Sequence, residues 1–304
     1  MGDNRSTMRE SSLLFHHDHI NLYGIEHAPL AENKLNETVI IFLHGWSGYR
    51  TGPHDIFVKM ARRYAAIGFG CVRFDFGGRG FSDGDQLKVD FQSMLADMRA
   101  VIDQIDKRPE VKRIILIGMC SGAKLGLYYI KHMTKGKVSL LVEISSPPLN
   151  EVEGNIKMET QKFNAHLKSY INKALDGNTY RRLLNKEINV KHILRILLDP
   201  FKNMSKMDDF KAAQAKRWEQ KGTRFFQGEV LSIHGGKDPE TVLSVGQIQK
   251  MLEDHQIPVL KHIIEDGNHG FYSVSWEQEI ISVVENWMLK FYAKELEIPS
   301  IINV

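Results

Sequence analysis

The chain has 304 residues, of which 42% are apolar and 25% charged, with a net charge of +3. This ordinary globular composition excludes collagen-like, low-complexity and wholly disordered chains. The small net charge gives no ground for a nucleic-acid partner, and no apolar run approaches the ~20 residues of a membrane helix.

Short apolar runs alternate with stretches of helical period along the chain. The first 30 or so residues read as an antiparallel hairpin. Thr38–Leu43 is a buried strand, followed by a helical stripe of Ile56, Phe57, Met60, Ala61, Tyr64 and Ile67. Cys71–Phe74 is the next strand. A second stripe follows in Phe91, Met94, Leu95, Met98, Val101, Ile102 and Ile105. Ile114–Ile117 is a strand that runs through a tight turn into a helix over Lys124–Met133. Leu140–Ile144, Val230–Ile233 and Leu260–Ile264 are further strands, and a last helix carries Trp276, Ile280, Val283, Val284, Trp287, Met288 and Phe291. Near-continuous apolar strands suit a parallel sheet covered on both faces. The alternation with helices predicts an α/β fold with right-handed crossovers.

The rhythm breaks from Pro148 to Gly228, where no good strand occurs. Helices are predicted around Lys157–Asp176, Tyr180–Ile188, Val190–Leu198 and Asp208–Lys221. Between Asn150 and Gln227 there are 16 Lys and Arg against 9 Asp and Glu, a net of +7 in a chain of net +3. The expected organisation is a core formed by residues 1–147 and 228–304, with a basic helical cap over 148–227.

The strand Ile114–Ile117 ends in Gly118–Met119–Cys120–Ser121–Gly122–Ala123. This is the strand–turn–helix setting of a nucleophile elbow, with cysteine at the central position. A thiol there sits at a helix N-terminus, whose partial positive charge favours thiolate. Ser121 competes with Cys120 by residue type. In the elbow geometry, however, Ser121 supplies a backbone N–H and points its side chain away.

A nucleophile needs a base and the base an orienting group, which in this fold follow in the order nucleophile, acid, histidine. Asp238 stands just after Val230–Ile233, within His234–Gly235–Gly236–Lys237–Asp238–Pro239, and is the candidate acid. His269 stands just after Leu260–Ile264, within Asp266–Gly267–Asn268–His269–Gly270–Phe271, and is the candidate base. The first parallel strand ends in His44–Gly45–Trp46–Ser47–Gly48. The backbone N–H groups of Trp46 and Ser121 are the expected oxyanion hole, and His44 is expected to be a structural hydrogen-bonding residue.

Over nearly its whole length the chain resembles the α/β-hydrolase superfamily. Its N-terminal half is similar to bacterial cinnamoyl/feruloyl-esterase-like members, which group with the serine-aminopeptidase-like hydrolases. The stretches that carry this are His44–Gly45–Trp46–Ser47–Gly48, Gly52–Pro53–His54, Ala61–Arg62–Arg63–Tyr64 and Val72–Arg73–Phe74–Asp75–Phe76–Gly77–Gly78–Arg79–Gly80–Phe81–Ser82–Asp83–Gly84. Those esterases carry serine where this chain has Cys120. A cysteine elbow resembles dienelactone hydrolases and exosortase-associated hydrolases.

A cysteine nucleophile favours thioesters, because the acyl-enzyme is itself a thioester and exchange between two thioesters is close to isoenergetic. The expected activity is an acyl hydrolase or acyltransferase with a Cys120–His269–Asp238 triad. An acyl carrier protein or a coenzyme A thioester is the expected donor, since both are acidic and the cap is basic. The alternatives are an oxygen-ester or lactone hydrolase and a non-catalytic ligand-binding protein of the same fold. No cofactor and no metal are expected; the histidines of His16–His17–Asp18–His19 alternate between faces in a strand and do not converge. With two cysteines, Cys71 and Cys120, and a polar stretch from Met1 to Ser12 that lacks the apolar region of a secretory signal, a cytoplasmic location is expected.

Overall fold

A computed structural model of the chain describes residues 9–31, 33–132, 136–149 and 226–296. The predicted hairpin is present as β1 (Glu10–His17) and β2 (Ile20–His27), paired antiparallel. The six predicted parallel strands follow as β3 (Thr38–Leu43), β4 (Gly70–Phe74), β5 (Arg113–Met119), β6 (Val138–Ile144), β7 (Glu229–Gly235) and β8 (Val259–Ile264). They form one eight-stranded sheet in the order β1-β2-β4-β3-β5-β6-β7-β8, in which β2 meets β4 antiparallel and the pairs from β4 to β8 are parallel.

The helices are α1 (Ile56–Ile67), α2 (Phe91–Asp106), α3 (Ser121–His132), α4 (Thr241–Asp254) and α5 (Val274–Leu296). The stripe on α1 packs with α5 against one sheet face. There Phe57, Met60, Tyr64, Val284 and Met288 are fully buried against Ile40, Phe42, Ile115, Ile117 and Val142. Each such side chain contributes about 1.5–3 kcal/mol through removal from water. Asp90 starts α2 with a reciprocal cap: its Oδ1 accepts from Ser93 N–H at 2.8 Å, and Ser93 Oγ accepts from Asp90 N–H at 2.9 Å.

The structure departs from the expected elements in three places. Helix α3 begins at Ser121, three residues before the predicted start, because the elbow turn is confined to Cys120. Helix α4 was not among the predicted elements, and two of its four buried residues are Thr241 and Ser244. β8 is an edge strand, with Leu260 53% and Ile263 42% exposed, so its apolar run is not covered on both faces. The cap helices expected within 148–227 lie outside the described residues, apart from the ends of that segment. There Lys124 Nζ donates to Pro148 O at 2.9 Å, and Leu149 N–H donates to Gln247 Oε1 at 2.7 Å.

Candidate active site

The elbow is built by close backbone packing at the C-terminal end of β5. Cys120 adopts a left-handed backbone with φ +55, a conformation that costs a non-glycine residue on the order of 1–3 kcal/mol. It is held by Cys120 N–H donating to Ile144 O at 2.9 Å and by Lys124 N–H donating to Cys120 O at 3.2 Å. Gly122 follows because no side chain fits there: a Cβ would stand 2.0 Å from Leu43 O. Gly122→Ala is expected to lower stability by about 2–3 kcal/mol through forced backbone displacement. Urea unfolding would show this as a lower midpoint with an unchanged slope.

Asp238 and His269 come from two loops tied to each other by their backbones. Gly236 N–H donates to Ile264 O at 2.8 Å, and Lys237 N–H donates to Gly267 O at 2.9 Å. A Cβ on Gly235 would meet Gly267 O at 2.4 Å, so glycine is required for the approach. Asp238 is buried. Its Oδ2 pairs with His269 Nδ1 at 2.7 Å, and its Oδ1 accepts from Glu240 N–H at 3.0 Å. Both carboxylate oxygens are therefore fixed, and the imidazole is oriented with Nε2 outward. The fully buried Phe271 anchors the far end of the histidine loop.

Asp238 and His269 thus meet in space although far apart in the chain, and Cys120 lies near enough to His269 for each to shift the titration of the other. Burial pushes the Cys120 thiol up, but the hydrogen bond and charge of His269, together with hydrogen bonds from the Ser121 hydroxyl and N–H, bring it below the ordinary thiol value. The Ser121 hydroxyl lies 3.8 Å from the sulfur. His269 is raised to about 9, first by its hydrogen bond to Cys120 and then by Asp238, against the opposing effect of burial. Each group contributes to the shift of the other, so the two titrate as a coupled pair. Cys71 lies within β4 at full burial, which pushes its thiol far up, so it is a core residue.

The loop after β3 lies against the nucleophile: a Cβ on Gly45 would stand 3.3 Å from Cys120 Cβ. His44 is buried in this turn. Its Nδ1 donates to Gly45 O at 2.8 Å, and its Nε2 accepts from Phe76 N–H at 3.2 Å. Burial pushes its pKa down to about 4. Neutral and with both nitrogens engaged, His44 shapes the loop and is no second base. Trp46 follows Gly45, 39% exposed, and its carbonyl accepts from Arg79 Nε at 2.7 Å.

Sequence reasoning missed a buried polar cluster beside the elbow. Glu143 on β6 is fully buried, in register with Gly118. It accepts from Ser146 N–H at 3.2 Å, from the Ser232 hydroxyl, and from His234 Nε2 at 2.8 Å. The cluster joins the end of β6 to β7 immediately before the Asp238 loop. A lone glutamate in the run Leu140–Leu141–Val142–Glu143–Ile144 was the available signal, because a charge in a central strand must be paired. Glu143→Ala is expected to cost about 3–5 kcal/mol by stranding those donors, as loss of one member of a buried pair does. A thermal unfolding scan measures it.

At the N-terminal histidines, His16 Nδ1 pairs with Asn21 Oδ1 at 2.8 Å and His17 Nδ1 with Asp97 Oδ1 at 2.7 Å. Among the described residues no group of three or more His, Cys, Asp or Glu is placed to hold a metal ion. Among the same residues no helix is long and apolar enough to cross a membrane.

Comparison with known proteins agrees with this architecture. The family described as serine aminopeptidase, S33, matches residues 36–195. Mouse α/β-hydrolase domain-containing protein 10 is similar in structure at 19% identity with a TM-score of 0.57, over 92% of this chain and 99% of that one. Est1E from Butyrivibrio proteoclasticus, solved with ferulic acid bound, aligns at 17% identity and a TM-score of 0.58, over 92% and 99% of the two chains. Esterase Pf2001 of Pyrococcus furiosus aligns at 18% identity and a TM-score of 0.58, over 94% and 92%. Likeness at these identities shows a shared fold. No curated protein matches the chain.

Proposed function

Starting from the membership of this chain in the serine aminopeptidase S33 family of α/β-hydrolase enzymes, we propose that it is an acyl hydrolase or acyltransferase that forms a covalent acyl-cysteine on Cys120, with a thioester as donor. The observation that carries the reading is the placement of Cys120 on a strained elbow with φ +55, next to a histidine held by a buried aspartate at 2.7 Å, a setting that brings the thiol below its ordinary value.

The steps follow from the positions of the side chains. The Cys120 thiolate attacks the acyl carbon, and the carbonyl oxygen becomes an oxyanion. The N–H groups of Ser121 and Trp46 hold it, donors of a kind worth about 2.7–4 kcal/mol each to a transition state. The tetrahedral adduct collapses with expulsion of the donor thiol, which takes the proton of His269. Neutral His269, oriented by Asp238, then accepts a proton from water or another acceptor as that group attacks the acyl-cysteine. Collapse returns the thiolate and leaves His269 protonated. An acid–base residue of this kind contributes typically 10²–10⁴-fold.

The donor is proposed to be carried on coenzyme A or an acyl carrier protein. The excess of +7 in residues 150–227 favours an acidic carrier. The similarity to Est1E with its ferulic acid supports a second reading, hydrolysis of oxygen esters. Matched thioester and oxygen-ester substrates with one acyl chain separate the two. The thioester reading expects kcat/KM to favour the thioester by more than about tenfold, since a thiolate gains little driving force from forming a thioester out of an oxygen ester. Equal rates, or a preference for the oxygen ester, would support the second reading.

A further inference from the structure

Arg79 lies against the loop that abuts Cys120. Arg50, Arg62, Arg63 and Arg108 each pair with a carboxylate, respectively of Asp75, Glu10, Glu285 and Glu26. Arg79 has no carboxylate partner among the described residues. Its Nε donates to Trp46 O at 2.7 Å, and its Nη1 reaches Gln86 O only at 3.4 Å. Of the five N–H donors of a guanidinium, three have no acceptor among the described residues. The group is partly buried and lies over the Trp46 ring, 5.6 Å from its centroid. Burial lowers its pKa, with no acidic neighbour among the described residues offsetting the effect.

The location ties this cation to the chemistry. Trp46 is the proposed oxyanion donor, and Gly45 before it abuts Cys120. The charge of Arg79 is also felt at His44, in the same turn. A partly desolvated guanidinium is unfavourable unless its charge is met, and a planar fork of free N–H groups matches a carboxylate or phosphate.

We propose that Arg79 is a specificity-determining residue that binds an anionic group of the substrate, a carboxylate or phosphate, beside the reacting carbonyl. This rests on the acyl-hydrolase reading above and narrows its substrate class to negatively charged acyl donors. The anion has two possible sources, the acyl chain and the leaving group.

The test compares kcat/KM for butyryl and succinyl thioesters of N-acetylcysteamine, which differ by a carboxylate in the acyl part. Butyryl-coenzyme A set against the butyryl N-acetylcysteamine thioester varies the leaving group instead. Wild-type protein is expected to favour the charged member of one pair by about tenfold or more, the effect of a charge-assisted hydrogen bond. Arg79→Gln is expected to bring that ratio to within about threefold of unity, while Arg79→Lys keeps part of it through its point charge. The ratio is the readout because either substitution also disturbs the Trp46 carbonyl and slows every substrate. The pair that shows the preference identifies the source of the anion. Turnover without preference in either pair, or a preference that survives Arg79→Gln, would overturn the assignment while leaving the acyl-hydrolase reading intact. Absence of turnover on every substrate would overturn both.

Discussion

Cys120→Ala is expected to reduce kcat/KM by about 10⁴-fold or more, the scale seen when the nucleophile of a triad is removed. The fold should survive, because alanine occupies the same space and the left-handed backbone at position 120 is imposed by β5, α3 and the Ile144 carbonyl. Cys120→Ser should lose less, but its loss should be greater on thioesters than on oxygen esters. A serine hydroxyl does not ionise beside an imidazole, so His269 must act as a general base. Ser121 does not rescue the alanine variant if its role is to present a backbone N–H. Activity retained in Cys120→Ala and abolished in Ser121→Ala would reverse the assignment of the nucleophile. Steady-state kinetics on one thioester with these three variants settles the order.

The second large effect is on pH dependence. Thiolate is present above the lowered Cys120 value, and imidazolium is present below the raised His269 value of about 9. The rate therefore rises with pH as the pair forms and falls again near pH 9 as His269 loses the proton it gives to the leaving thiol. These limbs belong to the coupled pair. Removing the thiol removes the largest cause of the His269 shift, so in Cys120→Ala the imidazole should titrate well below 9, closer to the ordinary value of about 6.5. Asp238→Asn should move the alkaline limb in the same direction by a smaller amount and lower kcat by about 10²-fold, less than a serine triad suffers, because the thiolate continues to stabilise the imidazolium. NMR titration of the His269 ring in the three proteins reads these shifts directly. A His269 value unaffected by loss of Cys120 would show that the two groups are not paired.

Most of the sheet was legible because each central strand is an apolar run bounded by turn residues, and β3 matches its expected span of Thr38–Leu43. The elbow was legible for a related reason: Gly118 and Gly122 flank a strand end where no Cβ fits. Helix α4 was not, since Thr241 and Ser244 take two of its four buried positions and weaken its apolar period. The edge position of β8 was not, because Leu260 and Ile263 read as buried in a one-dimensional pattern. The candidate site shows the same division. Cys120, Asp238 and His269 each stand directly after a strand, where local context marks them. The Glu143–Ser232–His234 cluster depends on lateral register between β6 and β7, which no local pattern contains. Arg79 was hidden in another way: it stands within the Val72–Gly84 stretch that carries the family resemblance, and its contacts with the Trp46 carbonyl and ring appear only in three dimensions.

Intact mass after rapid mixing with an acyl thioester would detect the covalent acyl-cysteine itself. A mass increase equal to one acyl group is expected, absent in Cys120→Ala, and it should decay on incubation in water or faster on addition of an amine acceptor. Donor consumption by wild-type protein with no adduct at any time, or an adduct that persists in Cys120→Ala, would contradict it.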